Sequence, residues 1–114
     1  MKKPVLLFDI MSTVVYDPIF EEIPRFFGLT LQEFFSAARP GAWIDFELGV
    51  VDEPETFRTF FKDGRSFDGD AFKATVQDAY RFIDDQMEPF LGELTAAGFS
   101  LHALSNYPTW YRMI

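Results

Sequence analysis

Asp9 stands at the end of a short apolar run, Val5 to Phe8, and is followed by Ser12 and Thr13. A second apolar run, Phe99 to Leu104, ends on Ser105 and Asn106. A carboxylate is ionised at neutral pH and can act as a nucleophile or hold a cation, while hydroxyl and amide groups can donate to an anion. In open parallel sheets, ligands sit outside the carboxyl ends of the strands, so these groups converge if the two strands are neighbours. By itself Asp9 reads as a turn or cap residue. The joint pattern, with a long insertion between the two strand ends, favours a nucleophile.

The elements that must position these residues are legible from punctuation. "PVLLF" lies between Lys2, Lys3 and Asp9, which suits a strand buried on both faces of a parallel sheet. "FSLHAL" follows the turn signal "AAG" and supplies the second strand. Between them the residues are helical. Asp17 before Pro18 suits an N-cap followed by proline at the first helical position, with Pro24 expected to kink or divide that helix and Gly28 to close it. Thr30 and Glu33 have capping-box spacing, and Asp52 and Glu55 repeat it, with Gly64 as the expected stop. Trp43, Phe46 and Glu47 recur at helical spacing, as do Phe72, Val76, Ala79, Tyr80 and Ile83. "MEPFLGELTAAGF" leads into the second strand, and Asn106 with Pro108 is expected to open a last helix. Parallel strands need a crossover connection, and this one greatly exceeds the single helix that geometry demands. Residues 17–88 therefore read as an inserted helical subdomain, with 1–16 and 89–114 forming a partial parallel core.

Composition sets limits. The chain has 114 residues, 48% of them hydrophobic, enough for one compact core. It has no cysteine, which excludes disulfides, thiolate metal sites and a cysteine nucleophile. Eighteen acids against ten bases give a formal charge of −8, which disfavours binding to nucleic acid or to an anionic membrane surface. An anionic substrate would need a local cation. No apolar run approaches the length of a membrane span, and "MKK" with four apolar residues after Pro4 is too short for a signal peptide. The expectation is a soluble, intracellular chain, cytoplasmic or, behind a transit peptide, in the plastid stroma. The fifteen phenylalanines are expected to be mostly core.

"LLFDIMSTVV" resembles the nucleophile motif of the haloacid dehalogenase superfamily, a hydrophobic strand followed by Asp-x-x-x-Thr, and "LHALSN" resembles its second motif. More narrowly, "FDIMSTVVYDP", "FFGLT", "WIDFELGVVDE", "FFKDGRSFD" and "SNYPTWY" are similar to a plant flavin-mononucleotide-hydrolysing branch of that superfamily. The resemblance implies an α/β fold, a partial Rossmann-like parallel sheet with an inserted α-helical cap. It also implies a Mg²⁺-dependent phosphatase that acts on a small phosphorylated metabolite, flavin mononucleotide being the candidate. Asp9 would attack phosphorus to give an aspartyl phosphate, and Asp9 with the backbone carbonyl of Met11 would hold Mg²⁺. Ser105 would donate to a phosphoryl oxygen, Thr13 and Asn106 would contact the substrate, and N–H groups at the start of the last helix would assist.

Two departures stand out. Where the family's phosphatases usually carry a second Asp as general acid and base, this chain has Met11, whose thioether can do neither. The flavin branch has an acid one residue later, where this chain has Ser12. The family also uses a later lysine and a later acidic pair. After Lys73 there is no lysine, and after Glu93 no acid, so the chain resembles the first half of such an enzyme.

Other residues have structural readings of equal or greater weight. Trp43 and Arg65 are candidate substrate contacts, for a flat ring and an anion respectively, although aromatics at helical spacing usually form core and arginines usually lie at the surface. Arg39 has the same two readings. Asp84 and Asp85 resemble a metal pair but read better as a solvated helix end, and His102 reads as a structural strand residue. Two rivals remain: a dehalogenase in which Asp9 attacks carbon without a metal, and a non-enzymatic binding module. Two parallel strands without the rest of a sheet would also leave open edges prone to self-association.

Overall fold

The structure, a computed structural model, describes residues 2–114, which group into two compact units, each described by itself. The fold is mixed α/β, with a two-stranded parallel sheet and six α-helices among the described residues.

The first unit runs to Asp17 and resumes over Tyr80–Ser105. Its sheet pairs β1 (Val5–Phe8) with β2 (Ser100–Ala103), in the register Val5 to Ser100 through Phe8 to Ala103. A short helix near the end of this unit, Met87–Ala96, feeds β2. It stops at Gly98, whose φ of +91° is the left-handed conformation that only glycine adopts without strain. There the Gly98 N–H donates to the Thr95 carbonyl at 3.0 Å and the Phe99 N–H to the Leu94 carbonyl at 3.1 Å, a Schellman closure that turns the chain into the strand. The Lys3 ammonium bonds the Ala97 carbonyl beyond that helix and lies 4.8 Å from the Phe99 ring, which fixes the amino end of β1.

The strand was expected to be buried on both faces, and it is not. Val5 is 57% and Leu7 62% exposed. A strand is buried twice only when layers cover both faces of its sheet, and the described residues of this unit form one α-helix. The residues it does bury are Val14 and Val15, just past Asp9.

The second unit comprises Pro18–Ala79 and Asn106–Ile114. A 3₁₀ turn at Pro18–Phe20 precedes α1 (Glu22–Phe26), followed by α2 (Leu31–Ala37), α3 (Ala42–Glu47), α4 (Glu53–Thr59) and α5 (Gly69–Ala79). With these assigned, Met87–Ala96 is α6. The capping box at Thr30 is complete, with the Glu33 N–H donating to Thr30 Oγ1 at 3.1 Å and the Thr30 N–H to Glu33 Oε1 at 3.4 Å. Asp52 caps α4 by accepting from the Glu55 N–H at 3.0 Å. The Glu55 carboxylate pairs with Arg58.

Several boundaries differ from expectation, each for a backbone reason. Pro24 does not divide α1. It sits in the first turn, where the missing N–H has no helical partner to lose, and the break falls at Glu21. Helix α4 ends at Thr59, before Gly64, because the segments after α2 and α4 pair with each other: the Arg39 N–H donates to the Phe60 carbonyl at 2.6 Å and the Lys62 N–H to the Ala37 carbonyl at 2.9 Å. Helix α5 ends at Ala79, so Tyr80 and Ile83 of the expected stripe lie outside it. The last helix is a 3₁₀ segment, Thr109–Met113, with Pro108 rather than Asn106 at its cap, since proline disfavours helical geometry in the residue before it.

The core of this unit is aromatic. Phe27 lies 4.9 Å from Phe61, 5.0 Å from Phe67 and 5.2 Å from Phe72, and Phe72 reaches Trp110 at 5.9 Å. Trp110 is 2% exposed, and its indole N–H donates to Glu53 Oε1, which also lies 3.0 Å from Lys73 Nζ. The donor of a buried indole thus has a partner. Replacing Phe72 by alanine is expected to cost about 3–5 kcal/mol, whereas Phe35→Ala on exposed α2 surface should stay within about 0.5 kcal/mol. Urea unfolding followed by tryptophan fluorescence measures both, and equal losses would contradict this placement of the core.

Candidate functional site

Asp9 is the first residue beyond the carboxyl end of β1, and it is exposed. Its Oδ1 accepts the N–H of Ile10 at 2.9 Å, which ties one carboxylate oxygen to the backbone. The chain then folds tightly on one acceptor. The Ile10 carbonyl accepts from Val14 N–H and Val15 N–H at 2.9 Å each and from Thr13 N–H at 3.2 Å, while the Ser12 N–H donates to the Val15 carbonyl at 2.8 Å. Closing so small a loop places Ser12 at φ +63°, an uncommon conformation for a residue other than glycine. Burial of Val14 and Val15 supplies the apolar contribution that holds the loop.

The other rim of the site is set by the sheet. The Leu104 N–H donates to the Phe8 carbonyl at 2.8 Å, extending the parallel ladder past Phe8 and Ala103. Asp9 and Ser105 therefore follow on adjacent strands, which lie about 4.8 Å apart in a sheet. Ser105 and Thr13 are both exposed. One unit thus brings together Asp9, Met11, Thr13 and Ser105 at the carboxyl end of its sheet.

The sequence pattern did not reveal what braces this loop. Tyr16 N–H donates to the Arg81 carbonyl and Ile83 N–H to the Val14 carbonyl, both at 2.8 Å, so the outgoing and returning chains pair antiparallel. The Arg81 guanidinium stacks on the Tyr16 ring at 3.9 Å. The β-branched run "TVVY" was the available signal, hidden because Thr13 and Val14 belong to the turn itself and only Val15 and Tyr16 lie beyond it.

Three candidates belong to the helical unit. Asn106 is exposed and does not cap the last helix, which removes the helix N-terminus expected there. Trp43 packs against Phe46 at 5.6 Å, Trp110 at 5.7 Å and Tyr107 at 6.0 Å. Arg65 forms a two-pronged pair with Asp63, Nη2 to Oδ2 at 2.7 Å and Nε to Oδ2 at 3.0 Å, and lies over the Phe61 ring at 4.6 Å. Asp84 Oδ1 accepts the N–H groups of Gln86 and Met87 at 2.9 Å, a cap leading into α6.

A hard divalent cation takes oxygen ligands, commonly one or two carboxylates completed by water and phosphate. The free oxygen of Asp9 and the carbonyl of Met11, to which none of the described residues donates, are donors of that kind. Among the described residues no group of three or more His, Asp or Glu side chains is arranged to hold a metal. The donors fit such an ion in chemistry and fall short of a full set in number.

The side-chain bonds from Arg65, then its backbone N–H, hold the Asp63 carboxyl down to about 2 from the usual 3.8. A depressed carboxyl contributes stability above its ordinary range and loses it as pH falls between about 4 and about 2. Carbon-detected NMR titration of Asp63 should show a midpoint near 2, moving back toward 3.8 in Arg65→Ala. An unchanged midpoint in that variant would sever the link.

No protein-family model matches the chain, and no solved structure matches it. Among curated proteins, it is 42% identical over 113 residues to the chloroplast flavin mononucleotide hydrolase 1 of Arabidopsis thaliana. That match covers 99% of this chain and 46% of the Arabidopsis protein, so the chain spans less than half the length of this relative.

Proposed function

We propose that this chain is the nucleophile-bearing part of a haloacid-dehalogenase-type phosphoester hydrolase. The reading rests on one observation above all: the 42% identity to a flavin mononucleotide hydrolase runs through a segment in which Asp9 emerges at the carboxyl end of β1 beside Ser105. The motif resemblance to the superfamily supports the same reading.

In this reading the free carboxylate oxygen of Asp9 attacks the phosphorus of a small organic phosphate, with flavin mononucleotide the substrate that the relative's name suggests. The bond from phosphorus to the leaving oxygen breaks, the departing alkoxide takes a proton from solvent water, and an aspartyl phosphate remains on Asp9. The Ile10 N–H steadies the other carboxylate oxygen, and the Ser105 and Thr13 hydroxyls donate to phosphoryl oxygens. Mg²⁺, when held by Asp9 and the Met11 carbonyl, supplies charge neutralisation for an anion attacking an anion. Water then cleaves the phosphorus bond to Asp9 and releases phosphate. Met11 and Ser12 provide no acid or base for either step, and the lysine and acidic pair of the superfamily have no counterpart after Lys73 and Glu93. Location in a plastid is part of the same proposal, by analogy with the chloroplast relative. No described helix is long and apolar enough to cross a membrane.

The 114-residue chain alone is expected to release no phosphate from flavin mononucleotide above background, with or without Mg²⁺. Joined to the part of the Arabidopsis enzyme outside the matched segment, it should release phosphate in a Mg²⁺-dependent manner. Asp9→Asn in that chimaera should lower turnover by about a thousandfold or more. Undiminished turnover in the Asp9→Asn form would rule out Asp9 as the nucleophile.

A further inference from the structure

We infer that Tyr16 and Arg81 are positioning residues for Asp9, acting through Val15 on the loop that presents its carboxylate, a role that rests on the phosphoryl-transfer reading above. Asp9 is exposed, and one backbone N–H holds one of its oxygens. Where the free oxygen points therefore depends on the loop that follows, residues 10–15. That loop carries Ser12 in the left-handed region, a conformation that persists only where surrounding contacts hold it.

Backbone direction shows where those contacts come from. Val15 turns both of its backbone groups toward the loop: its N–H donates to the Ile10 carbonyl at 2.9 Å, and its carbonyl accepts from the Ser12 N–H at 2.8 Å. The groups that flank it turn the other way. The Tyr16 N–H donates to the Arg81 carbonyl and the Ile83 N–H to the Val14 carbonyl, both at 2.8 Å, which sets Val15 opposite Phe82 in an antiparallel bridge. Val15 thus stands between Met11 of the loop and Phe82 of the returning chain, paired with each. Residues 81–83 are an exposed stretch between α5 and α6, and two hydrogen bonds are a weak hold by themselves. Tyr16 and Arg81 face each other directly across this pairing, and the guanidinium lies 3.9 Å from the centre of the Tyr16 ring. The side-chain stack and the backbone bond join the same two residues, so each holds the other in place. All of these groups belong to the sheet unit. Loss of either partner leaves Asp9 bonded to Ile10 but loosens Val15, and with it the carbonyl on which the loop closes. A displaced nucleophile loses rate rather than affinity, because its alignment with phosphorus matters only in the attack.

Amide hydrogen exchange followed by NMR on the 114-residue chain tests the bracing, and steady-state kinetics on the chimaera described above test its consequence. Arg81→Ala and Tyr16→Leu should each speed exchange at Ser12, Val14 and Val15 by about threefold or more, while the Leu104 and Ala38 amides, bonded elsewhere, stay as they are. In the chimaera each should lower kcat by about fivefold or more and leave KM within about twofold. The double variant should lose no more than the worse single one, since the two residues act as one contact. Tyr16→Phe, which keeps the ring, should behave as the wild type, and Arg81→Lys, which keeps the charge without the flat stack, should fall between. Unchanged loop exchange in both single variants, equal acceleration at Leu104 and Ala38, additive losses in the double variant, or a loosened loop with unchanged kcat in a chimaera whose Asp9→Asn form is inactive would each overturn the positioning role and leave the nucleophile reading standing. A chimaera whose Asp9→Asn form turns over undiminished removes that reading, and the positioning role with it.

Discussion

The parallel pairing of β1 with β2 is the constraint from which the rest follows. Two parallel strands cannot be joined by a tight turn, so the chain leaving Phe8 must travel the length of the sheet and re-enter beside Val5. Everything between them is connection, and the helical unit is what that connection has become. The same pairing puts the two strand exits side by side, so Asp9 and Ser105, remote in sequence, occupy one rim.

The loop after Asp9 shows how local bonding sharpens such a rim. A single acceptor, the Ile10 carbonyl, gathers three N–H donors within a few residues, and the chain can close on it only by taking Ser12 into the left-handed region. Strain of that kind persists where surrounding contacts over-determine it. Here those contacts are the buried valines and the antiparallel pairing of the outgoing and returning chains. Asp9 itself stays exposed, held by one backbone N–H and otherwise open to a ligand.

The two units differ in how they are held. The helical unit has an interlocked aromatic core, with Trp110 carrying its indole N–H to a partnered glutamate, while Phe35, Ile44, Leu48 and Val50 stay exposed on its surface. The sheet unit has a thin core and leaves Val5, Leu7 and Leu104 exposed. A sheet of two short strands is marginal unless more strands or helices cover it.

Sequence alone determined the elements whose signals are local. The strands follow from short apolar runs between charged or turn residues, α2 and α4 from cap residues three apart, and the close of α6 from a glycine whose backbone no other residue adopts freely. Asp9 and Ser105 were legible as strand-end residues for the same reason. The tertiary structure decided what depends on a partner distant in the chain. It moved the end of α4 to Thr59, because Arg39 and Lys62 pair across to neighbouring carbonyls, and it took Ile83 out of α5 to pair with Val14. It tied Arg65 to Asp63 and left β1 exposed where burial was expected. Hydrogen-bond partners and covering layers are supplied by other parts of the chain, and no window of sequence around a residue contains them.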